Sequence, residues 1–181
     1  MVFDVKEGKF YRKAVAKLNA NGVLADSSKL VSLYVGDQLI VFNGSTKTFS
    51  TVPVKSNNGF EFVSNEQSSV LYTGEEVKIF SLAENKFYAM NFNNNSKKAN
   101  LGKPTLVFKR EGMLGYNLRT IFGWFNSKKA IVTATIPDGV NSLTVLETGP
   151  DVIKVVAGLS EISLDVLSCQ VSSNRVDGSN N

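Results

Sequence analysis

The sequence predicts a mainly β protein with an antiparallel β-sandwich or jelly-roll-like fold, and three observations support this. Many segments, such as GFEFVS and TKTFSTVPV, alternate apolar and polar side chains with the period of two that strands have. Turn sequences separate these segments at intervals of about ten residues, which is typical of sandwiches. The alternation of strands with long helices that builds parallel sheets is missing.

Strand patterns dominate the chain from Lys29 onwards. KLVSLYV and QLIVF are separated by Gly36-Asp37, a pair that suits a tight turn between antiparallel strands. EVKIFSL and KFYAMNF, joined by Ala83-Glu84-Asn85, form the clearest predicted hairpin. A second block of strands begins at AIVTATI and continues through SLTVLE, DVIKVV and EISLDVLSCQV.

Residues 9–21, KFYRKAVAKLNAN, have two interpretations. A weak apolar stripe that ends at Gly22 favours an N-terminal helix, because glycine is the usual residue just beyond a helix. The same residues alternate well enough for two strands around Asn19-Ala20-Asn21-Gly22. We expect the helix.

The stretch from Lys103 to Lys129 combines aromatic residues, positive charge and helical spacing. Large apolar residues recur there at i, i+4, i+7, i+8 and i+11, namely Leu114, Leu118, Ile121, Phe122 and Phe125. This spacing predicts one short amphipathic helix near residues 113–126. Gly115 and Gly123 keep it short, since each costs roughly 1 kcal/mol relative to alanine in a helix interior.

The same stretch supplies the candidate partner-binding residues, which are Lys109, Arg110, Tyr116, Arg119, Trp124, Lys128 and Lys129. Aromatic faces beside cations can stack on nucleobases while the cations neutralise phosphates, or they can sit at a membrane interface. Alternatively, the helix covers a β core, with Trp124 half-buried at its edge and the lysines forming a solvated rim. Short apolar stripes more often belong to a core than to a site.

The length of 181 residues suits one domain, for which we expect residues 1–171. No internal repeat is apparent, and a division near residues 100–130 into two small β units is the alternative. The tail, 172–181, has almost nothing to bury and is expected to be disordered. The net charge of +4 is unevenly spread, because residues 1–29 and 103–129 are basic whereas residues 130–174 carry one lysine and five acids. Opposed charges of this kind can steer an anionic partner or join copies head to tail.

Composition removes several classes of site. The chain has no histidine and a single cysteine, Cys169, so it can form neither a Ser-His-Asp triad nor a disulfide within the chain. Gly102-Lys103-Pro104 breaks the pattern of a phosphate-binding loop at its third residue. Paired carboxylates remain, and the candidates are Glu75, Glu76, Glu84, Asp138, Glu147 and Asp151. We expect no enzyme activity, no metal and no cofactor.

The N-terminal residues are charged too early for a signal peptide, and no run of apolar residues is long enough to span a membrane. We therefore expect a soluble protein that is cytoplasmic or part of an assembled particle. The function predicted is that of a non-enzymatic structural or assembly module, such as a virion component, which pairs with itself or with other protein subunits. The alternative is a nucleic-acid-binding module that uses the basic aromatic stretch 109–129.

Overall fold

The structure is a computed structural model, and it describes residues 1–15, 22–55, 59–92, 102–109, 112–136, 140–147, 152–165, 168 and 170–175. Within these residues the chain is all β, with eighteen strands and no helix. The chain divides into two compact units, Met1–Asn91 and Phe92–Asn181. The expectation of one domain over residues 1–171 stays a prediction.

The first unit contains a hairpin and two four-stranded sheets. The N-terminal hairpin pairs β1 (Val2–Asp4) with β2 (Lys9–Tyr11). The first sheet comprises β3 (Val23–Asp26), β4 (Leu30–Val35), β5 (Gln38–Asn43) and β6 (Thr48–Pro53). The second sheet comprises β7 (Glu61–Ser64), β8 (Ser68–Tyr72), β9 (Glu76–Ser81) and β10 (Lys86–Asn91).

The second unit contains two further four-stranded sheets. The third sheet comprises β11 (Thr105–Lys109), β12 (Gly112–Tyr116), β13 (Thr120–Phe125) and β14 (Ala130–Thr135). The fourth sheet comprises β15 (Thr144–Glu147), β16 (Val152–Ala157), β17 (Ser160–Asp165) and β18 (Gln170–Arg175). In all four sheets, strands that are consecutive in sequence are antiparallel neighbours, so that each sheet is a simple meander.

The connection between the third and fourth strands has the same length in all four sheets. Four residues separate the paired positions that flank it, which are Asn43 and Thr48, Ser81 and Lys86, Phe125 and Ala130, and Asp165 and Gln170. From each sheet to the next, the first members of these pairs are 38, 44 and 40 residues apart in the sequence. The four sheets are therefore repeats of one unit of about 40 residues, the size and strand number of a propeller blade repeat.

The last residue of this connection has a left-handed backbone in the first three sheets. The φ angles are 58° at Lys47, 54° at Asn85 and 52° at Lys129. The backbone N–H of Lys47 donates to the carbonyl of Asn43 at 2.8 Å, and the N–H of Lys129 donates to that of Phe125 at 2.9 Å. A left-handed residue at this position lets a short loop return the chain into antiparallel pairing.

Each unit has its own cluster of buried apolar side chains. In the first unit the cluster draws on the first and second sheets and contains Leu30, Tyr34, Leu39, Val41, Val54, Leu71 and Phe80. In the second unit it draws mainly on the third and fourth sheets and contains Leu114, Ile121, Phe125, Ile136, Val140, Val155, Ala157, Ile162 and Leu164. Burial of these surfaces is the main stabilising contribution within each unit.

The predicted helix near residues 113–126 is wrong, because β12, a turn and β13 occupy this stretch. The side-chain oxygen of Asn117 accepts the N–H groups of Arg119 and Thr120, both at 2.8 Å, and reverses the chain where the helix was expected to continue. Both faces of this strand pair are buried: Leu114 lies in the core of the unit, and Met113 on the opposite face is also buried. Apolar residues therefore occur at successive positions, and the period of two is hidden.

The other detailed expectations about the fold need similar correction. The sandwich or jelly roll is wrong, since the described residues form several small sheets and not two large ones packed face to face. The predicted N-terminal helix is not seen either, because its first residues, Lys9–Tyr11, form β2. Residues 16–21 of that segment lie outside the described residues. Of the tail, residues 172–175 belong to β18, and 176–181 lie outside the described residues.

Candidate functional site

The third sheet brings some of the sequence-predicted binding residues together at one end. Lys109 ends β11 and pairs with Gly112, which pairs with Phe125 at the end of β13. The turn that follows Phe125 carries Lys128 and Lys129. Lys128 is exposed, and its Nζ lies 3.4 Å from the carbonyl oxygen of Ser168. Because Lys109, Lys128 and Lys129 share this end, we call them the basic end of the third sheet; Arg110 lies outside the described residues.

Tyr116 and Arg119 lie at the opposite end of the same sheet. Tyr116 ends β12, and Arg119 directly precedes β13. Given the rise of a strand, about 15 Å separates this end from the basic end. The guanidinium of Arg119 donates to the carbonyls of Leu118 and Val140, at 3.3 Å and 3.2 Å. Arg119 therefore ties together backbone segments of its own unit.

Trp124 lies in the interior. Its side chain is 1% exposed, and its indole N–H donates to the side-chain oxygen of Asn126 at 2.8 Å. It pairs across the sheet with Met113, which is equally buried. In this conformation the ring is not available to stack on a ligand. The predicted combination of Trp124 with the surrounding cations is therefore not present at one surface.

The candidate carboxylates of the first unit differ in their surroundings. Glu76 is 2% exposed, and its carboxylate lies 2.8 Å from the ammonium of Lys78, which is also buried. Glu84 forms an ion pair with Lys86 at 3.4 Å, and Glu75 is exposed. Asp138 and Asp151 lie outside the described residues, as does the side chain of Glu147. Within the part of the chain that is described, no group of three or more His, Cys, Asp or Glu residues could hold a metal ion.

The N-terminal hairpin carries a surface that the sequence analysis did not identify. Because side chains alternate along a strand, the hairpin has two different faces. Val2 and Tyr11 pair across it and are partly buried, whereas Phe3 and Phe10 pair on the opposite face and are exposed. The two phenylalanine rings lie 4.6 Å apart between centroids. The alternation in VFDV and KFYR, on either side of Gly8, is the signal that could have predicted this hairpin.

The hairpin is anchored to the first sheet through its inner face. The ring of Tyr11 contacts that of Phe42 in β5, with 5.1 Å between centroids. The ammonium of Lys47 donates to Asp4 and lies 3.7 Å from a carboxylate oxygen of Glu7. The bond from Lys47 lowers the pKa of the Asp4 carboxyl, and the same bond raises the pKa of Lys47. The hydroxyl of Tyr11 donates to Glu7 at 2.8 Å, which raises the pKa of the tyrosine.

A cleft of about 470 Å³ lies beside the hairpin and the turns of the first sheet. Its charged lining residues are Asp4, Lys6, Lys29 and Lys47. Asp4 is bonded to Lys47, and Lys29 lies 3.9 Å from Glu66, so that most of these charges face an opposite charge. The cleft is therefore the gap between the hairpin and the first sheet, and most of its charged groups already face an opposite charge within the protein.

The hairpin exposes several large apolar side chains. Phe3 is 49% exposed, Phe10 59% and Val5 84%. Four exposed cations lie next to these residues in sequence, namely Lys6, Lys9, Arg12 and Lys13, and the Nζ of Lys9 lies 4.0 Å from a carboxylate oxygen of Glu7. We call this surface the aromatic hairpin face. An anchored apolar patch with a charged rim has the composition of a protein-binding surface.

No helix among the described residues is long and apolar enough to cross a membrane. No protein-family model matches the chain, and no curated protein matches it. Solved structures match only distantly. Apo AztD from Citrobacter koseri is 12% identical with a TM-score of 0.44, over 86% of this chain and 46% of AztD.

Hsv2 from Kluyveromyces lactis is 11% identical with a TM-score of 0.43, over 81% of this chain and 47% of Hsv2. The chain thus spans less than half of either structure. Similarity at this level identifies neither a family nor a function for this chain.

Proposed function

We propose that the protein is a non-enzymatic assembly module that joins protein subunits, of the kind that builds larger particles such as virions. The observation that carries the proposal is the exposed pair of Phe3 and Phe10 on a hairpin whose other face is anchored. The apolar side chains of the four sheets are mostly buried, whereas Phe3 and Phe10 are exposed.

Anchoring is what makes the aromatic hairpin face suitable for binding. A free hairpin of two short strands is marginally stable in water. Contacts of Tyr11 with Phe42, and of Lys47 with Asp4, hold this hairpin in one position before any partner arrives. A partner therefore loses less free energy to ordering the surface when it binds. The exposed aromatic rings then gain burial in the interface.

Replacing both phenylalanines tests the proposal. The variant Phe3→Ser with Phe10→Ser removes the apolar surface and leaves the anchoring face intact. We expect light scattering across a range of concentrations to show association of the wild type and its loss in this variant. Leu159→Ser is the matched control, because Leu159 is 60% exposed in the turn between β16 and β17. Equal association of the wild type and both variants would contradict the proposal.

A second candidate function is binding of nucleic acid through the basic end of the third sheet. The observation that favours it is the register that gathers Lys109, Lys128 and Lys129. With Trp124 buried, such binding would depend on phosphate contacts without stacking, and it should weaken steeply as salt increases.

We expect the double variant Lys128→Ala with Lys129→Ala to lower the slope of log affinity against log salt by about two. The control is the exposed Lys86→Ala of the first unit, which should leave the slope unchanged. A slope unaffected by the double variant excludes this surface as the site.

A further inference from the structure

The N-terminal hairpin has the geometry of the third and fourth strands of a repeat. Four residues separate its paired positions Asp4 and Lys9, as in the connections of the four-stranded sheets. The last of these four, Gly8, has a φ of 63°, which matches the left-handed position just before a fourth strand. Asp4 precedes its equivalent in the first sheet, Asn43, by 39 residues, close to the spacing between the other sheets. β1 therefore corresponds to a third strand and β2 to a fourth.

The hairpin also contacts the first sheet as one repeat contacts the next. Asn43, at the end of the third strand of the first sheet, donates to Asn85 of the second sheet at 2.8 Å. In the same way, Asp4 at the end of β1 accepts a hydrogen bond from Lys47 of the first sheet. Lys47 and Asn85 hold the equivalent left-handed positions of their sheets. The hairpin is thus half of a repeat, packed on the first sheet in the manner of a whole one.

β1 pairs only with β2 among the described strands, whereas the third strand of each four-stranded sheet also pairs with a second strand. One side of the β1 backbone is therefore available for pairing. The cleft of about 470 Å³ lies on this side of the hairpin, since its lining includes all of β1 and no residue of β2. The first sheet contributes residues 27–29, Val31 and Phe42 to the same lining. The cleft thus adjoins the place where a second strand would pair with β1.

The first sheet presents exposed leucines beside this cleft. Leu24 and Leu33 pair across β3 and β4, on the face from which Phe42 contacts the hairpin. Their equivalents in the second sheet, 38 residues further on, are Phe62 and Leu71, which pack in the apolar cluster of the first unit. Leu71 is fully buried, whereas Leu24 is 63% exposed and Leu33 is partly exposed. In the second sheet, the strands of the preceding repeat provide this cover.

We propose that β1, the cleft and Leu24 form an acceptor site for a pair of β-strands donated by another polypeptide. The second donated strand pairs antiparallel with β1, and apolar side chains of the pair cover Leu24 and Leu33. The repeat defines the donor, which is a strand–turn–strand segment with alternating apolar residues, as in β3 and β4. In such strand addition, main-chain hydrogen bonds give affinity and side-chain pockets give specificity. The site goes beyond the proposed assembly function, because it uses the edge of the hairpin and not its aromatic face.

A synthetic peptide with the sequence of residues 23–35, VLADSSKLVSLYV, tests the site, because it reproduces the first two strands of a repeat. Anisotropy of the fluorescently labelled peptide, titrated with the intact protein, measures binding. We expect saturable binding, with slower amide exchange in Val2–Asp4 as β1 gains a neighbour. A control peptide with serine in place of Leu30 and Tyr34 loses the side chains that pack toward the next sheet. It should bind at least about tenfold more weakly.

Variants of the protein locate the binding. Leu24→Asp should weaken binding of the wild-type peptide about tenfold or more, because the carboxylate would be buried under the strands. Leu159→Asp, at an exposed position of the fourth sheet, and Phe10→Ser, on the outer face of the hairpin, should leave binding unchanged. Thermal unfolding shows that each variant is folded.

Absence of peptide binding, or binding that Leu24→Asp does not weaken, would overturn the inference. Either result leaves the assembly function standing, because that function is tested by light scattering without the peptide. Conversely, a protein that captures the peptide at Leu24 but does not associate through Phe3 and Phe10 retains the acceptor site and loses the assembly function.

Discussion

Glu76 and Lys78 form a buried ion pair in the second sheet, and Glu76 also accepts the backbone N–H of Lys55. Removing one partner of such a pair leaves a desolvated charge, which costs more than the pair itself contributes. We expect Lys78→Met to lower the free energy of unfolding by about 3 kcal/mol. Adding Glu76→Gln should restore more than half of that loss, because the amide oxygen can still accept the Lys55 N–H.

Denaturant unfolding of the single and double variants measures both effects. Lys86→Met is the control, since its ion pair with Glu84 is more than half exposed on the lysine side and such surface pairs contribute little to stability. If Lys78→Met were as mild as this control, the pair would be hydrated and not buried.

The anchor of the hairpin should depend on pH at both extremes. The pKa of Asp4 is lowered below 3.8 by its bond with Lys47, so the anchoring contribution is present above 3.8 and is lost as pH falls through the lowered pKa. The pKa of Lys47 is raised above 10.5, so the same contribution is present below 10.5 and is lost as pH rises through the raised pKa.

Chemical shifts of the Tyr11 and Phe42 ring protons report whether the two rings remain in contact. We expect them to move toward free values at both pH extremes in the wild type. Asp4→Asn should abolish the acidic transition. An acidic transition that persists in Asp4→Asn would show that another group holds the hairpin.

Individual site residues were the hardest features to predict from sequence. The sequence around Trp124 does not reveal whether the ring is exposed or buried, because burial depends on which strands cover it. The exposure of Phe3 and Phe10 was equally hard to predict. It depends on the contact of Tyr11 with Phe42, 31 residues away in sequence, which decides which face of the hairpin points outward.

In the first three sheets, the four-residue connection places a residue with a left-handed backbone just before the fourth strand. Lys129 has a φ of 52°, which costs a residue with a Cβ more than it costs glycine. We expect Lys129→Gly to raise the free energy of unfolding by about 0.5 kcal/mol, after the entropy cost of glycine is subtracted. Lys128→Gly, in the same turn but not at a left-handed position, should lower it.

Thermal unfolding of the two glycine variants gives the comparison. Equal destabilisation by both substitutions would show that the backbone of Lys129 is not strained.

Strands were predictable where a recognisable turn sequence joins them, even when both of their faces are buried, as in β5 and β9. The sequence correctly predicted β4 and β5 and the hairpin of β9 and β10. Between β12 and β13 it predicted a helix, because apolar residues follow one another on two buried faces. The turn at Asn117 was the available contrary signal, since asparagine commonly bonds to backbone N–H groups two and three residues on.

The two buried clusters give an expectation for the chain as a whole. Each cluster found among the described residues draws on the strands of a single unit. We therefore expect Phe80→Ala, in the first unit, to speed amide exchange in residues 1–91 and to leave residues 92–181 nearly unchanged. Phe125→Ala, which also removes a fully buried ring, should do the reverse.

Hydrogen exchange followed by mass spectrometry resolves the two halves of the intact chain. Faster exchange throughout in either variant would instead support one cooperative domain over residues 1–171.

The mainly β class and the antiparallel pairing were predictable from alternation and turns. The partition into small sheets was not, since it depends on which strands pair and not on where they occur.

The constant four-residue connection also bears on how such a chain could arise and be altered. Asn43, Ser81, Phe125 and Asp165 occupy the same place in their sheets and are four different residue types. Copies of one ancestral segment could thus diverge almost completely in amino-acid sequence while loop length and hydrogen-bond register stayed fixed. A whole sheet cut and rejoined at these positions would be the natural segment to duplicate, delete or exchange.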